Sequence, residues 1–166
     1  MIDLTLVSIL IPAITSAILY LLKDQLEDFA AWIATLVATI SLLSILSTYP
    51  NLAKKDNLLI SYPWVSQLGL SFELYLDVTS FFLSLVIAIV SFAACLYSVK
   101  YMNGKPGQSS YYSNLLLFMC GMIGVVYAAN LVQFYIFWEL MLIPSFFLFF
   151  FRNASSSIRF FWPALS

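Results

Sequence analysis

One carboxylate stands in the middle of the most apolar stretch of this chain. Glu139 lies within residues 131–151, a run of Leu, Phe, Ile, Met and Trp with no other charged side chain. An ionisable group in lipid hydrocarbon costs about 2.5–3.5 kcal/mol on insertion scales, and buried acids of this kind usually mark a proton or ion pathway. With Leu131 near one surface, a rise of about 1.5 Å per residue puts Glu139 about 12 Å in, close to the bilayer middle. Tyr135 is one turn earlier on the same helical face and offers a phenol O–H. Pro144 follows five residues later, removes one backbone N–H and frees the carbonyl of Leu140, which predicts a helix distortion there. The pattern suits a proton-loading point, because burial raises a carboxyl pKa and a cationic partner lowers it. The plainer reading is a protonated Glu139 that hydrogen-bonds a neighbouring helix as structural glue.

Other residues have chemistry worth weighing. Asp77 opens an apolar run with Thr79 and Ser80 behind it, the pattern of a helix N-cap, and the mouth of an ion pathway is the alternative. Gly121 and Gly124, with Cys120 and Ala128, form a small-residue face that suits close helix packing. Asn130 and Gln133 are expected as hydrogen-bonders at an interface. Cys95 and Cys120 sit apart in apolar runs and read as buried thiols. There is no His, the commonest metal ligand and the usual neutral-pH proton shuttle, so no metal or redox cofactor is expected on this chain.

Elements of unusual composition must position these groups. The chain is 63% hydrophobic and 9% charged, whereas soluble domains carry about 25% charged residues. A net charge of −1 offers no basic surface for nucleic acid. Length and hydropathy predict an all-α polytopic membrane protein with five spans, at about residues 4–22, 29–47, 78–99, 111–128 and 131–151. Residues 111–151 hold one charge and would make a single helix of about 60 Å, twice the hydrocarbon thickness, so the chain must turn back near Ala128, Ala129 and Asn130. The first span lacks a basic n-region and is expected to be a retained helix, not a cleaved signal. The charged residues 23–28 read as a solvated loop, and residues 48–51 as the stop of the second span. Between residues 48 and 77, Leu70, Phe72, Leu74 and Leu76 alternate with Ser71, Glu73 and Tyr75, which predicts a surface β-hairpin. One bundle spanning residues 1–166 is expected, with no repeat or second domain.

Loop charges suggest an orientation. Lys23, Lys100, Lys105, Arg152 and Arg159 would lie on one side, against Lys54 and Lys55 on the other. Positive-inside bias then places the N-terminus outside and the C-terminus in the cytoplasm. Tyr97, Tyr101, Tyr111 and Tyr112 bracket the third loop, as interfacial aromatics do. No predicted span contains Lys, Arg or His, so an ion-pair partner for Glu139 would have to come from outside them.

At these residues the sequence resembles a known family. FWELMLIPSFFL at residues 137–148, preceded by NLVQFY at 130–135, is similar to the fifth helix of the antiporter-like subunits of respiratory complex I. Chain M of the proton-pumping NADH–quinone oxidoreductase looks most alike, and membrane-bound hydrogenases and multisubunit Na+/H+ antiporters have related chains. LDVTSFFL at 76–83 and LYSVKYM at 96–102 resemble that family's third helix and loop, and LLLFMCGM at 115–122 its fourth. The resemblance implies that Glu139 takes part in proton translocation opposite a lysine on a later helix, with Tyr135 and Asp77 as lesser candidates. It further implies an energy-transducing membrane, prokaryotic plasma membrane or organellar inner membrane. The partners would be other membrane subunits, including a chain that supplies the missing helices and lysines, with NADH and quinone bound elsewhere. Family members continue for many more helices, so this chain is expected to be their N-terminal portion, from a split gene, a truncation or a short subunit. A non-conducting structural or assembly subunit is the alternative.

Overall fold

In a computed structural model the described residues are 4–52, 57–65 and 70–161. Five helices and one hairpin follow in the order α1 (Leu4–Leu21), α2 (Ala30–Leu52), β1 (Asn57–Val65), β2 (Leu70–Asp77), α3 (Val78–Tyr101), α4 (Gln108–Tyr127) and α5 (Leu131–Phe161). All five helices are long and apolar enough to cross a membrane. The fold is the polytopic helical bundle expected from hydropathy.

Helix bounds depart from the sequence reading where local rules meet tertiary packing. α2 passes the expected stop and continues through Pro50 to Leu52. Proline in a last turn removes one N–H and frees one carbonyl, a smaller loss than in a helix interior. α4 begins at Gln108, before Tyr111, and α5 extends beyond Phe151 to Phe161. α3 runs on to Tyr101 and so takes Lys100 into its last turn.

α2 and α3 bury many small and hydroxyl-bearing residues and present large apolar ones outward, whereas α4 buries Tyr112, Leu116, Met119, Ile123 and Tyr127 as well. α3 buries Ser80, Ser84, Ala88, Ser91, Cys95 and Ser98 while Phe82, Leu83, Val86, Ile89 and Val90 are exposed. α2 buries Ala34, Ala38, Ser41 and Thr48 and exposes Trp32, Leu36 and Leu43. This inversion of the soluble pattern is what lipid selects, since bulky apolar groups gain nothing by leaving a hydrocarbon solvent and small residues let backbones approach. Several buried hydroxyls are satisfied locally or across helices, whereas those of Ser41, Ser109 and Tyr112 have no partner among the described residues. Ser8 Oγ donates to the Thr5 carbonyl at 2.7 Å and Thr48 Oγ1 to the Ile45 carbonyl at 2.6 Å. Ser16 and Ser113 exchange bonds between α1 and α4, each hydroxyl donating to the other's carbonyl at 2.8 Å.

α4 is the central helix, packed against α1, α2, α3 and α5. Its start is capped from a distance: Glu27 Oε1 accepts from Gly107 N at 2.5 Å and Gln108 N at 3.2 Å. Gly107, at φ 81°, has the left-handed backbone glycine tolerates and no side chain to cap with. Glu27 thus leaves the expected solvated loop to fill the orphan N–H positions of α4. Because the 22–29 and 102–107 connections meet there, Lys23, Lys100 and Lys105 share that end of the bundle. Lys105 Nζ sits 3.5 Å from the centroid of the Tyr101 ring. Tyr97 is 72% exposed beside it, whereas Tyr112 is fully buried and does not belong to the interfacial set.

The hairpin closes the opposite end. β1 and β2 pair antiparallel from Asn57↔Asp77 to Pro63↔Ser71, with an irregularity between Pro63 and Val65. Leu74 and Leu76 face the core and are fully buried, while Tyr75 is exposed, as the alternation requires.

Candidate functional site

α5 departs from α4 through a very short turn, and the hairpin lies against that turn. Leu74 bridges Ala128, and Ala129 N donates to the Glu73 carbonyl at 3.2 Å. Asn130 caps α5, its Oδ1 accepting from Gln133 N at 2.8 Å. Its amide Nδ2 donates to the Ser71 carbonyl at 3.0 Å. The buried Gln133 accepts from Glu73 N through Oε1 at 3.0 Å. Asn130 and Gln133 are therefore the interfacial hydrogen-bonders expected, and the interface is the hairpin.

α5 rests on α4 through two glycines. A Cβ on Gly121 would meet the Met141 Cα at 3.1 Å, and one on Gly124 would overlap the Phe137 ring. Phe137 is buried there and meets Phe72 of the hairpin edge-on, with ring centroids 6.3 Å apart. Pro144 is also fully buried, and the helix continues through it. The small-residue face of α4 thus receives the Gln133, Phe137 and Pro144 side of α5.

Glu139 is on another side. It is exposed, together with Tyr135, Leu142 and Phe146, which follow one another at helical spacing. The sequence reading set Glu139 at mid-membrane depth; its side chain looks outward from the five-helix bundle, with Phe146 65% exposed one face along. Tyr135 lies one turn before Glu139 on the same exposed side of α5. Among the described residues no salt bridge to Glu139 is present, in keeping with spans whose one basic residue, Lys100, sits at the far end of α3. The Glu139 carboxylate is exposed on α5 and, among the described residues, has no cation paired with it.

Asp77 is elsewhere and already engaged. It caps α3 in a reciprocal box: Asp77 Oδ1 accepts from Ser80 N at 2.7 Å and Ser80 Oγ from Asp77 N at 2.8 Å. The Ser80 N–H bond holds its carboxyl below the usual carboxylate range. Of the three acids weighed against a helix, Asp77 and Glu27 serve helix N-termini and Glu139 does not. The Glu27 cap and the Gln133 link were missed in the sequence, since each joins residues 60 or more positions apart. The one signal was the Asn130-x-x-Gln133 spacing of a capping box.

Comparison with known proteins bears on the fold as a whole. Residues 63–112 match the family described as the N-terminus of chain 5 of NADH-ubiquinone oxidoreductase (complex I). The chain is 34% identical over 149 residues to a putative antiporter subunit, mnhA2, of Staphylococcus aureus, covering 87% of this chain and 19% of that one. It resembles a chain of the Mrp complex from a Dietzia species with a TM-score of 0.72 and 25% identity, over 89% of this chain and 16% of that one. The fold also matches a chain of an archaeal membrane-bound sulfane sulfur reductase, with a TM-score of 0.71 and 24% identity, over 85% of this chain and 22% of that one. The chain spans about one fifth of the length of the relatives it matches. Over that part, its sequence and fold are similar to those of antiporter-like membrane subunits.

Proposed function

We propose that this chain is one part of an ion-translocating antiporter-like subunit, in which Glu139 is the working carboxylate and the opposing cation comes from another segment or another chain. The observation that supports this is the outward position of Glu139 on α5. A lone carboxylate against lipid would cost about 3 kcal/mol. A cationic or polar partner on that face removes the cost and gives the carboxyl two states, ionised beside the cation and protonated when the cation withdraws. Tyr135, one turn earlier on the same exposed side, is placed to offer its phenol O–H to the carboxyl. Pro144, one turn beyond, supplies an unpaired Leu140 carbonyl that a translocated ion or a water can use.

Two settings are compatible with this chemistry. The likeness to the mnhA2 antiporter subunit and to a chain of the Mrp complex supports a multisubunit cation/proton antiporter. The match of residues 63–112 supports a complex I type NADH–quinone oxidoreductase, with the electrons moving in other subunits. In either setting the bundle lies in an energy-transducing membrane, its N-terminus outside and its loops with Lys23, Lys100 and Lys105 in the cytoplasm.

The test starts with mild-detergent purification of the tagged chain from native membranes and identification of what accompanies it. Ion movement is then measured in vesicles that contain the recovered complex with Glu139 or with Glu139→Gln. We expect assembly to persist and ion movement to be lost. Unchanged movement in an assembled complex would leave the chain as a structural subunit.

A further inference from the structure

The start of α5 holds a capping pair that is split between two tasks. In an Asn-x-x-Gln box the Asn side chain accepts from the third helical N–H and the Gln side chain turns back to the cap's own N–H. Here Asn130 makes its half, with Gln133 N donating to Oδ1 at 2.8 Å. Gln133 does not complete the box. Its Oε1 is spent on Glu73 N of strand β2 at 3.0 Å, 60 positions away. Because a backbone N–H needs an acceptor, this bond fixes which end of the amide is oxygen. The Nε2 donor is then buried with no partner among the described residues. Asn130 behaves likewise, its spare Nδ2 donating to the Ser71 carbonyl at 3.0 Å. Ala129 N to the Glu73 carbonyl and the Phe72–Phe137 ring contact complete the attachment.

These bonds bear on Glu139 through helix geometry. α5 is also seated on α4, with Phe137 against Gly124 and Met141 against Gly121, and the hairpin bonds add a polar, directional attachment at its start. Gln133 is a fixed point on the circumference of α5, six residues before Glu139. At about 100° and 1.5 Å per residue, the carboxylate is set about 120° around the helix and about 9 Å along it from the hairpin bond. We infer that strand β2, acting through Gln133 and Asn130, fixes the rotation of α5 and so aims the Glu139 carboxyl, which makes Gln133 a positioning residue. This rests on the reading of Glu139 as the working carboxylate.

The experiment reads rotation directly. Single cysteines at positions 135, 139 and 142, in a background with Cys95→Ser and Cys120→Ser, are labelled in membranes with a small maleimide. Labelling is compared with and without Gln133→Leu, and a cysteine at position 97 on α3 is the control. The expected result is a several-fold change in the relative labelling of the three α5 positions, with position 97 unchanged. Gln133→Glu keeps an oxygen acceptor for Glu73 N–H and restores the original pattern. An unchanged pattern in Gln133→Leu overturns the inference, as does a change that Gln133→Glu fails to reverse. If Gln133→Leu does not accumulate, Asn130→Ser retains the cap oxygen and loses the donor to Ser71. That variant must then shift the same pattern, or the inference is overturned. Failure of the functional reading shows separately, as ion movement indifferent to Glu139→Gln beside an intact labelling shift.

Discussion

α4 and α5 are joined by a turn of three residues and differ in nearly every physical respect. Of their most apolar 18 residues, 50% are buried in α4 and 17% in α5. α4 presents Ser109, Ser113, Cys120, Gly121 and Gly124 to its neighbours together with Tyr112, Leu116, Met119, Ile123 and Tyr127, and is covered on several sides. α5 carries bulky residues nearly all round, with Phe134, Trp138, Phe146 and Phe149 exposed. The difference teaches that small residues in this bundle mark where a neighbouring helix comes close, as Gly121 and Gly124 do for α5, while large side chains fill the space between helices. It also separates two uses of acids. Those near the packed helices close N-termini, and the one on the open helix is left available.

The comparison would be broken most directly by replacing Glu139 with Leu in the chain expressed alone. If the outward face of α5 meets lipid there, insertion of α5 should improve by about 3 kcal/mol, read as the inserted fraction in membranes. With the partner chains present the gain should vanish and ion movement with it. The next largest effect tests the seat between the two helices. Gly124→Val drives into the Phe137 ring and should cost about 2–3 kcal/mol, seen as a lower Tm in detergent. Adding Phe137→Ala should return part of that loss, the coupling expected of touching residues.

Asp77→Ala removes a cap and should cost about 1 kcal/mol. The sign of its pH dependence follows from the lowered pKa of Asp77. A carboxyl held lower in the folded state contributes its full stability above its ordinary value, near about pH 4, and loses it as pH falls through the folded value. Acid titration of Asp77→Asn, followed by circular dichroism, should therefore show a flatter acid limb than the parent. Tyr135→Phe sharpens the contrast between stability and function. It should shift stability by no more than about 0.5 kcal/mol while slowing ion movement less than Glu139→Gln does. The smallest effect belongs to Leu83→Ala on the lipid side of α3, where Tm should be nearly unchanged, within about 0.5 kcal/mol.

Much of this arrangement is legible in single residues. The five helices follow from hydropathy because each segment must bond its own backbone in lipid. Alternation from Leu70 to Leu76 shows strand β2, and Gly121 with Gly124 shows where α5 must approach. The spacing of Tyr135 and Glu139 shows that they can touch. The outward direction of Glu139 is not legible, since α5 is apolar on every side and its pattern marks no preferred face. The service of Glu27 to α4 is hidden too, because a charged loop residue reads as solvated until the chain brings Gly107 and Gln108 to it. Tyr112 looked interfacial for the same reason: only the packing of α4 against its neighbours takes it out of the interface.

The paired bonds between Ser16 and Ser113 have a consequence for biosynthesis. They tie α1 to α4, 97 positions later in the chain. α1 therefore enters the membrane with its hydroxyl seam unmatched and must wait through the making of α2, the hairpin and α3. In the meantime α1 can pack on α2 and α2 on α3, and α4 completes the bundle around them.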